Sequence, residues 1–271
     1  MNDLDFSQVE AVLVGFLRDF VHKNGFENAL LGVSGGLDSA VALSLTCRAL
    51  GPEHTRAFFL PYRLSSPQSL AHAQLMCSEL GVSGETIEIT PMVDAYLNAC
   101  PSENPVQVGN LCARTRMMVL YDQSERHRAL VIGTSNKSEI LIGYSTIFGD
   151  SAAACLPLGD LYKTQVFGLA AHLGIPLEIR EKPPSADLWD QQTDEGEIGL
   201  TYHELDRILF FRVEERLRVD EVAAKGFELE TVRKVERMMI RSQFKRVMPP
   251  VAKLQNRAVG IDFRYPRDWQ R

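Results

Sequence analysis

The stretch that most constrains this chain is Ala29-Leu30-Leu31-Gly32-Val33-Ser34-Gly35-Gly36-Leu37-Asp38-Ser39. Leu30, Leu31 and Val33 form a short apolar run without helical spacing, whereas residues 39–50 carry apolar side chains every three or four positions and stop at Gly51-Pro52. The pattern predicts a buried strand, a glycine turn and a helix. Gly35 and Gly36 can take positive φ and admit a ligand close to the backbone, so successive N–H groups converge on one anion at the helix N-terminus. The turn lacks the Gly-Lys-Ser/Thr ending of a Walker loop and has Ser39 where the dinucleotide fingerprint places its third glycine. The hydroxyls of Ser34 and Ser39 are left to take the lysine's part. Asp38 beside bound phosphate is repulsive unless a divalent cation lies between them, which marks it as a Mg²⁺ ligand. An ordinary strand-to-helix turn would need neither both serines nor this order.

With 271 residues, 45% of them hydrophobic, the chain can bury a large core, and a single domain accounts for it. Phe6, Val9, Leu13, Phe16, Leu17 and Phe20 recur at helical spacing and predict an amphipathic packing helix over 6–21. Beyond the glycine turn, strands are expected at 57–60, 86–89 and 129–132, with helices from Ser66-Pro67 to Leu80-Gly81 and around 109–121. This alternation predicts an α/β fold: a doubly wound, twisted parallel sheet, helices on both faces, and ligands at the carboxyl ends of the strands. From about residue 200 the pattern is helical, over 202–211, 222–226 and 229–244.

Gly133-Thr134-Ser135-Asn136-Lys137-Ser138-Glu139 follows the strand at 129–132. Glu139 there is either a second carboxylate for the cation at Asp38 or a surface residue. Arg114 and Arg116, on the preceding helix, read as a solvated face. Lys163, near the start of a helix beginning at about 161, is a phosphate contact or a first-turn surface lysine. Residues 143–154 lack regular period and read as a mobile loop over the site; 182–188 with 191–197 read as a second lid or a solvated linker.

Ser-Gly-Gly-Leu-Asp-Ser resembles the pyrophosphate loop of the N-type ATP pyrophosphatases, which split ATP between its α and β phosphates and adenylate an acceptor oxygen. Further motifs follow in order: Gly109-Asn110-x-x-Ala113-Arg114-x-Arg116-Met117, the run from Gly133 to Glu139, Gly149-Asp150, Leu161-Tyr162-Lys163-Thr164, Lys182-Pro183-Pro184-Ser185-Ala186-Asp187-Leu188 and Phe244-Lys245-Arg246. With them the chain resembles the NAD synthetases over nearly its whole length. These enzymes convert deamido-NAD to NAD. The resemblance implies that Gly32, Val33, Ser34, Gly35, Gly36, Leu37, Asp38, Ser39, Thr134, Lys163 and Ser185 contact ATP, that Asp38 and Glu139 hold Mg²⁺, and that Arg114, Asp150 and Lys245 handle deamido-NAD. Three positions depart from the family. Ile147 and Ala154 stand where parts of it carry a lysine and an aspartate that bind deamido-NAD, and Phe244 replaces the histidine of the usual His-Lys pair.

A carboxylate is a poor acyl donor, so the implied reaction first joins the nicotinate carboxylate to AMP and then lets ammonia displace AMP. It needs charge neutralisation but no protein nucleophile. The two loops would exclude water from the adenylate. His22, His54, His72, His127, His172 and His203 fall in no matching motif, so no general base is assigned. Some NAD synthetases carry an amidase domain that frees ammonia from glutamine. This chain begins directly on the synthetase, so free ammonia is the expected donor. Residues 60–67 and 260–266 nevertheless look more like the glutamine-using group, which keeps a separate glutaminase open as a partner. Family resemblance also implies a homodimer, its expected interface the helix at 111–121 and the C-terminal helices.

Motif specificity, more than composition, weighs against the competing classes. A net charge of -6 argues against a protein that wraps polynucleotide. A tRNA-modifying relative would want a basic groove or a Cys-x-x-Cys site, and Cys47, Cys77, Cys100, Cys112 and Cys155 form no such pair. A catalytically silent nucleotide-binding protein is the third class. Scattered cysteines, an acidic N-terminus and the lack of a long apolar run lead to the expectation of a soluble cytoplasmic enzyme with no nucleic-acid or membrane partner. The basic, aromatic tail over 256–271, with Arg257, Arg264, Arg267 and Trp269, reads as a surface-packing segment.

Overall fold

The computed structural model describes residues 4–185, 192–260, 262 and 263. Ala186, Asp187, Leu188 and Gln191 of the expected second lid, and Arg264, Arg267 and Trp269 of the tail, lie outside the described residues. Four parallel strands, β1 (Asn28–Gly32), β2 (Thr55–Phe59), β3 (Ser83–Thr86) and β4 (Ala129–Val131), form a sheet in the order β3-β2-β1-β4. Leu31 pairs with Ala57, and Leu30 with Val131. Beyond β4, a single parallel bridge joins Ile132 to Cys155, so residues 154–155 extend the sheet by one short pairing. Successive strands step outward from β1 to β3 and then return to its other side. The loops after β1 and β4 therefore part company, and a crevice opens between them.

Period-two alternation splits the strands between two cores. Ala29, Leu31 and Val33 join the apolar cluster beneath α1 (Phe6–Lys23), α2 (Leu37–Leu50), α3 (Pro67–Leu80) and α7 (Lys163–His172). Leu30, Phe58 and Val131 face the opposite cluster with Val93 of α4 (Thr90–Ala99) and Cys112 and Val119 of α5 (Pro105–His127). Burial on both faces is the reason these strands read as continuous apolar runs. Leu43 of α2 is fully buried, and truncating such a leucine to alanine costs about 2–5 kcal/mol. Gly168 of α7 faces Phe6 so closely that a Cβ there would lie 2.3 Å from the ring, which lets α1 seat on α7.

The third strand differs from the expected 86–89. All four residues of β3 are exposed at the sheet edge, while Ile89 is buried after the strand has ended. Ile87 and Ile89 still donate backbone bonds to the carbonyls of Phe59 and Pro61 (both 2.9 Å). The apolar signal thus marks the chain's descent into the core and not the edge strand itself. Helices α4, whose Met92, Val93, Tyr96 and Leu97 recur at helical spacing, and α8 (Leu177–Arg180), a single turn, are additions to the expected elements.

A third cluster holds α6 (Lys137–Ile142) against α9 (Asp194–Ile198), α10 (Tyr202–Val213), α11 (Val219–Ala223) and α12 (Leu229–Arg241), through Ile142, Tyr202, Leu205, Ile208, Leu209, Val232 and Val235. Helix α12 stops three residues short of Phe244, and residues 243–246 form a 3₁₀ turn that carries Lys245. Among the described residues no helix is long and apolar enough to cross a membrane.

Candidate active site

Strand β1 leads through Val33 into the glycine turn. Ser39 Oγ donates to Gly36 O (2.9 Å) and accepts from Ser34 N–H (3.2 Å), while Ser34 Oγ accepts from Gly36 N–H (3.3 Å). The two hydroxyls therefore brace the turn from inside. Gly35 has φ +75, and a Cβ on it would lie 1.9 Å from Ser69 O. Gly36, at φ -92, is the extended N-cap of α2, so of the two glycines only Gly35 takes the left-handed conformation expected of both.

Strand β4 supplies the second arm. Asn136, fully buried, accepts from Glu139 N–H (3.0 Å), and Glu139 Oε2 accepts from Asn136 N–H (3.2 Å). This capping box starts α6 and holds the Glu139 carboxylate at the helix N-terminus. Asn136 Nδ2 also donates to Asp38 Oδ1 (3.0 Å), tying the loop after β4 to the one after β1.

Lys163, 3% exposed, forms the third arm at the start of α7. Its Nζ donates to Asp38 Oδ2, lies 3.6 Å from Glu139 Oε1 and sits 5.3 Å from the centre of the Tyr202 ring. Burial opposes the lysine's charge, yet Asp38 and Glu139 outweigh it and hold the ammonium above its ordinary pKa. Glu139 is pushed up to about 8, first by burial and then by Asp38, with Lys163 working against both. Neither the surface lysine nor the surface glutamate survives as a reading. When both carboxylates are ionised the pair is short of positive charge by one, which suits a divalent ion bound by two carboxylates together with substrate phosphate oxygens. Among the described residues no group of three or more His, Cys, Asp or Glu side chains forms a self-sufficient metal centre.

Residues 143–152 are a series of turns with specific ties. Thr146 N–H bonds Asp150 Oδ1 (2.8 Å), Thr146 Oγ1 meets Asn110 Oδ1 (2.6 Å), and Lys245 Nζ donates to Gly143 O (2.7 Å) and Ser145 O. Ala154 N–H then bonds Val131 O (2.8 Å), anchoring the far end to the sheet. Residues 192–197 likewise differ from a solvated linker. Thr193 caps α9, and Asp194, 4% exposed, accepts from the hydroxyls of Tyr202 and Tyr144 (both 3.1 Å). Burial pushes the Asp194 carboxyl above its usual range. Its partners lie far away in sequence, so local polarity could not reveal it.

These arms enclose a cleft of about 590 Å³, within the range of small-ligand sites. Of the expected residues, Gly32, Val33, Ser34, Gly36, Leu37, Asp38, Ser39, Thr134, Glu139, Asp150, Lys163, Ser185 and Lys245 line it. Gly35 and Arg114 do not. Gly35 is turned against Ser69, and Arg114 is exposed on α5, donating to Ile147 O (3.3 Å). The cleft also holds residues to which the sequence had assigned no role in the site. Lys182 Nζ donates to Ser69 Oγ (2.8 Å). Arg116, read beforehand as solvated, donates to Leu60 O (2.9 Å) at the end of β2 and lines the wall. Two residues apart on a helix, Arg114 and Arg116 cannot share a face; Arg116 follows buried Cys112 by four and precedes buried Val119 by three, the spacing that separates it from Arg114. None of the six histidines lines the cleft.

A family model described as NAD synthase matches residues 9–249. A protein of Chlorobaculum tepidum called NH(3)-dependent NAD(+) synthetase is 50% identical over 266 residues, 98% of this chain and 96% of that one. Among solved structures, an NH3-dependent NAD synthetase from Campylobacter jejuni, in complex with the nitrate ion, superposes with TM-score 0.80 at 31% identity, covering 93% of this chain and 100% of that one. An NMN synthetase from Francisella tularensis superposes with TM-score 0.82 at 35% identity, covering 92% and 99%.

Proposed function

Because the chain belongs to the NAD synthase family, we propose that it is an ammonia-dependent ligase that amidates deamido-NAD to NAD at the expense of ATP. The observation that carries the reading is the meeting of three arms at one point: Lys163 against Asp38 and Glu139, beside the braced turn of Ser34 and Ser39, inside a single cleft. In this reading Gly32 to Ser39, Thr134, Lys163 and Ser185 contact ATP. Gly35 contributes through backbone conformation, since a side chain there has no room.

The nicotinate carboxylate attacks the α-phosphorus as the bond to the bridging oxygen of the β-phosphate breaks, giving an acyl adenylate and pyrophosphate. Backbone N–H groups at the start of α2 and the Lys163 ammonium stabilise negative charge accumulating on the leaving pyrophosphate. Asp38 and Glu139 are the residues that would hold Mg²⁺, which when bound neutralises phosphate charge. Ammonia then adds to the acyl carbon, loses a proton, and AMP departs. Gly143 to Thr146, Gly149, Asp150, Ala152 and residues 182–185 line the cleft, and in this reading they shield the adenylate from water, whose attack would waste ATP.

Asp150 and Lys245 line the same cleft and are assigned to deamido-NAD, with Arg114 supporting the loop through Ile147. The polynucleotide-acting alternative is not favoured, since the family match runs over residues 9–249. We further propose a cytoplasmic homodimer. Exposed Met118 and Tyr121 beside Arg114 on α5, and exposed Ile240, Phe244, Val247 and Met248 at the C-terminal end, support that reading. Sedimentation as a monomer would reject it.

The test is NAD formation by the purified protein with ATP, Mg²⁺ and deamido-NAD, comparing ammonium with glutamine and measuring AMP and pyrophosphate. Nicotinic acid mononucleotide is run as a second acceptor, because one similar solved structure is called an NMN synthetase. NAD from ammonium with equal AMP is expected. A rate that appears only when a glutaminase is added would replace free ammonia by delivered ammonia, and no product from either acceptor would reject the reading.

A further inference from the structure

Asp206 on α10 is 0% exposed, does not line the cleft and has no part in the reaction just described. A carboxylate so deeply buried is retained at a cost unless hydrogen bonds compensate it. Its neighbours on α10, Leu205, Ile208 and Leu209, are apolar packing residues that require no charge. The bonds it makes all lead elsewhere. Ser138 Oγ donates to Oδ1 (2.5 Å), and the backbone N–H and Oγ1 of Thr164 both donate to Oδ2 (2.8 Å each). Ser138 Oγ in turn accepts from Lys163 N–H (2.9 Å).

Ser138 immediately precedes Glu139, and Thr164 immediately follows Lys163. One carboxylate thus grips the first turn of α6 and the first turn of α7, the two elements that bring the glutamate and the lysine to Asp38. We propose that Asp206 is a positioning residue for the reaction: by clamping Ser138 and Thr164 it sets the spacing between the Glu139 carboxylate and the Lys163 ammonium. Through it the C-terminal helical layer, which stands behind the cleft, governs the geometry of the phosphate end. The inference rests on the functional reading above and deepens it.

Asp206→Asn keeps the size of the side chain and removes its charge and one acceptor oxygen. Calorimetric titration of ATP with Mg²⁺, without deamido-NAD or ammonia, reads the phosphate end alone; steady-state assays read kcat and the KM for deamido-NAD. Misplacing groups by about an ångström predicts kcat lower by roughly 10²-fold and ATP binding weaker by roughly 10-fold. The KM for deamido-NAD should stay within about twofold, because Asp150 and Lys245 are held by Thr146, Gly143 and Ser145 and not by Asp206. A packing role would lower the melting temperature and the active fraction but leave ATP affinity and kcat per active site at wild-type values. That result overturns the proposal. Should Asp206→Asn fail to fold, Ser138→Ala removes the hydroxyl that bridges Asp206 and Lys163 N–H, Thr164→Val removes the hydroxyl bond to Oδ2, and both read the same split; wild-type ATP affinity and kcat in both would also overturn it. Wild-type protein that binds ATP but forms no NAD would reject the functional reading, whereas the ATP titration of the variants still decides the role of Asp206.

Discussion

Replacing Gly35 by alanine tests whether the turn after β1 owes its shape to one glycine. Alanine must adopt φ +75, which costs about 1–2 kcal/mol in the left-handed region. Its Cβ would also lie 1.9 Å from Ser69 O, 2.8 Å from Ser69 C and 3.0 Å from Ser69 Cα. Those are backbone atoms in the first turn of α3, so no side chain can swing aside. Either the turn or the helix start must retreat by more than an ångström, and overpacking of that kind costs about 1–3 kcal/mol. The combined loss of about 2–5 kcal/mol lowers the melting temperature by roughly 5–15 °C in a chain of this size. Ser69 also anchors Lys182 over the cleft, so the displacement carries a second lining residue with it. Activity should fall roughly 10²-fold, because the N–H groups at the start of α2 are re-aimed. Gly81→Ala is the matched control: φ is +65, but nothing lies within 4 Å of its Cβ, so it carries the backbone cost alone and leaves activity intact. Thermal unfolding and steady-state NAD formation measure both variants. Equal melting temperatures for the two, or full activity in Gly35→Ala, would refute the reasoning.

Lys163→Met should lower kcat by roughly 10²-fold or more, since a preorganised charge at the departing group is lost. It also leaves Asp38 and Glu139 facing each other without the ammonium, so added Mg²⁺ should raise the variant's melting temperature more than that of wild type; an equal or smaller rise counts against the arrangement. For Glu139, the folded ligand-free protein holds its proton up to about 8 against an ordinary glutamate value of about 4.5, so the native state binds the extra proton between those limits. Stability of the ligand-free protein should therefore decline as pH rises from about 4.5 to about 8 and then flatten, and Glu139→Gln should reduce that slope. Urea midpoints across this range measure it, and an unchanged slope in the variant would contradict the assignment.

The residues that could be found without coordinates were those whose type and order are demanded by chemistry within one short segment. The glycine turn is of this kind, Glu139 and Lys163 were assigned only through the family resemblance of the motifs that hold them, and the change from continuous apolar runs to a period of 3.6 located the parallel sheet around them. Asp194, Arg116 and Asp206 escaped for a different reason. Each takes its environment from partners remote in the chain: Asp194 from Tyr144, Arg116 from Leu60, Asp206 from Ser138 and Thr164. A charged residue in such a setting looks the same in a local window as one in solvent. The edge strand at 83–86 was misplaced because its residues are exposed, and an exposed edge carries no apolar alternation to read. Gly36 shows the limit of reasoning from residue type: glycine permits positive φ, but the N-cap position imposed an extended one.

The bond from Lys163 to Asp38 joins residues 125 apart, and the clamp on Thr164 waits for Asp206, 42 further positions removed from its partner. Translation gives that separation a duration. At about 5–20 residues per second, roughly 6–25 seconds pass between synthesis of the aspartate and of the lysine that answers it, and a few more before the clamp can close. Until then the first arm of the cleft lacks that counter-charge, although Asn136, which ties it to the loop after β4, is made before the lysine. The lysine that answers Asp38, and the clamp beside it, are thus supplied late in synthesis.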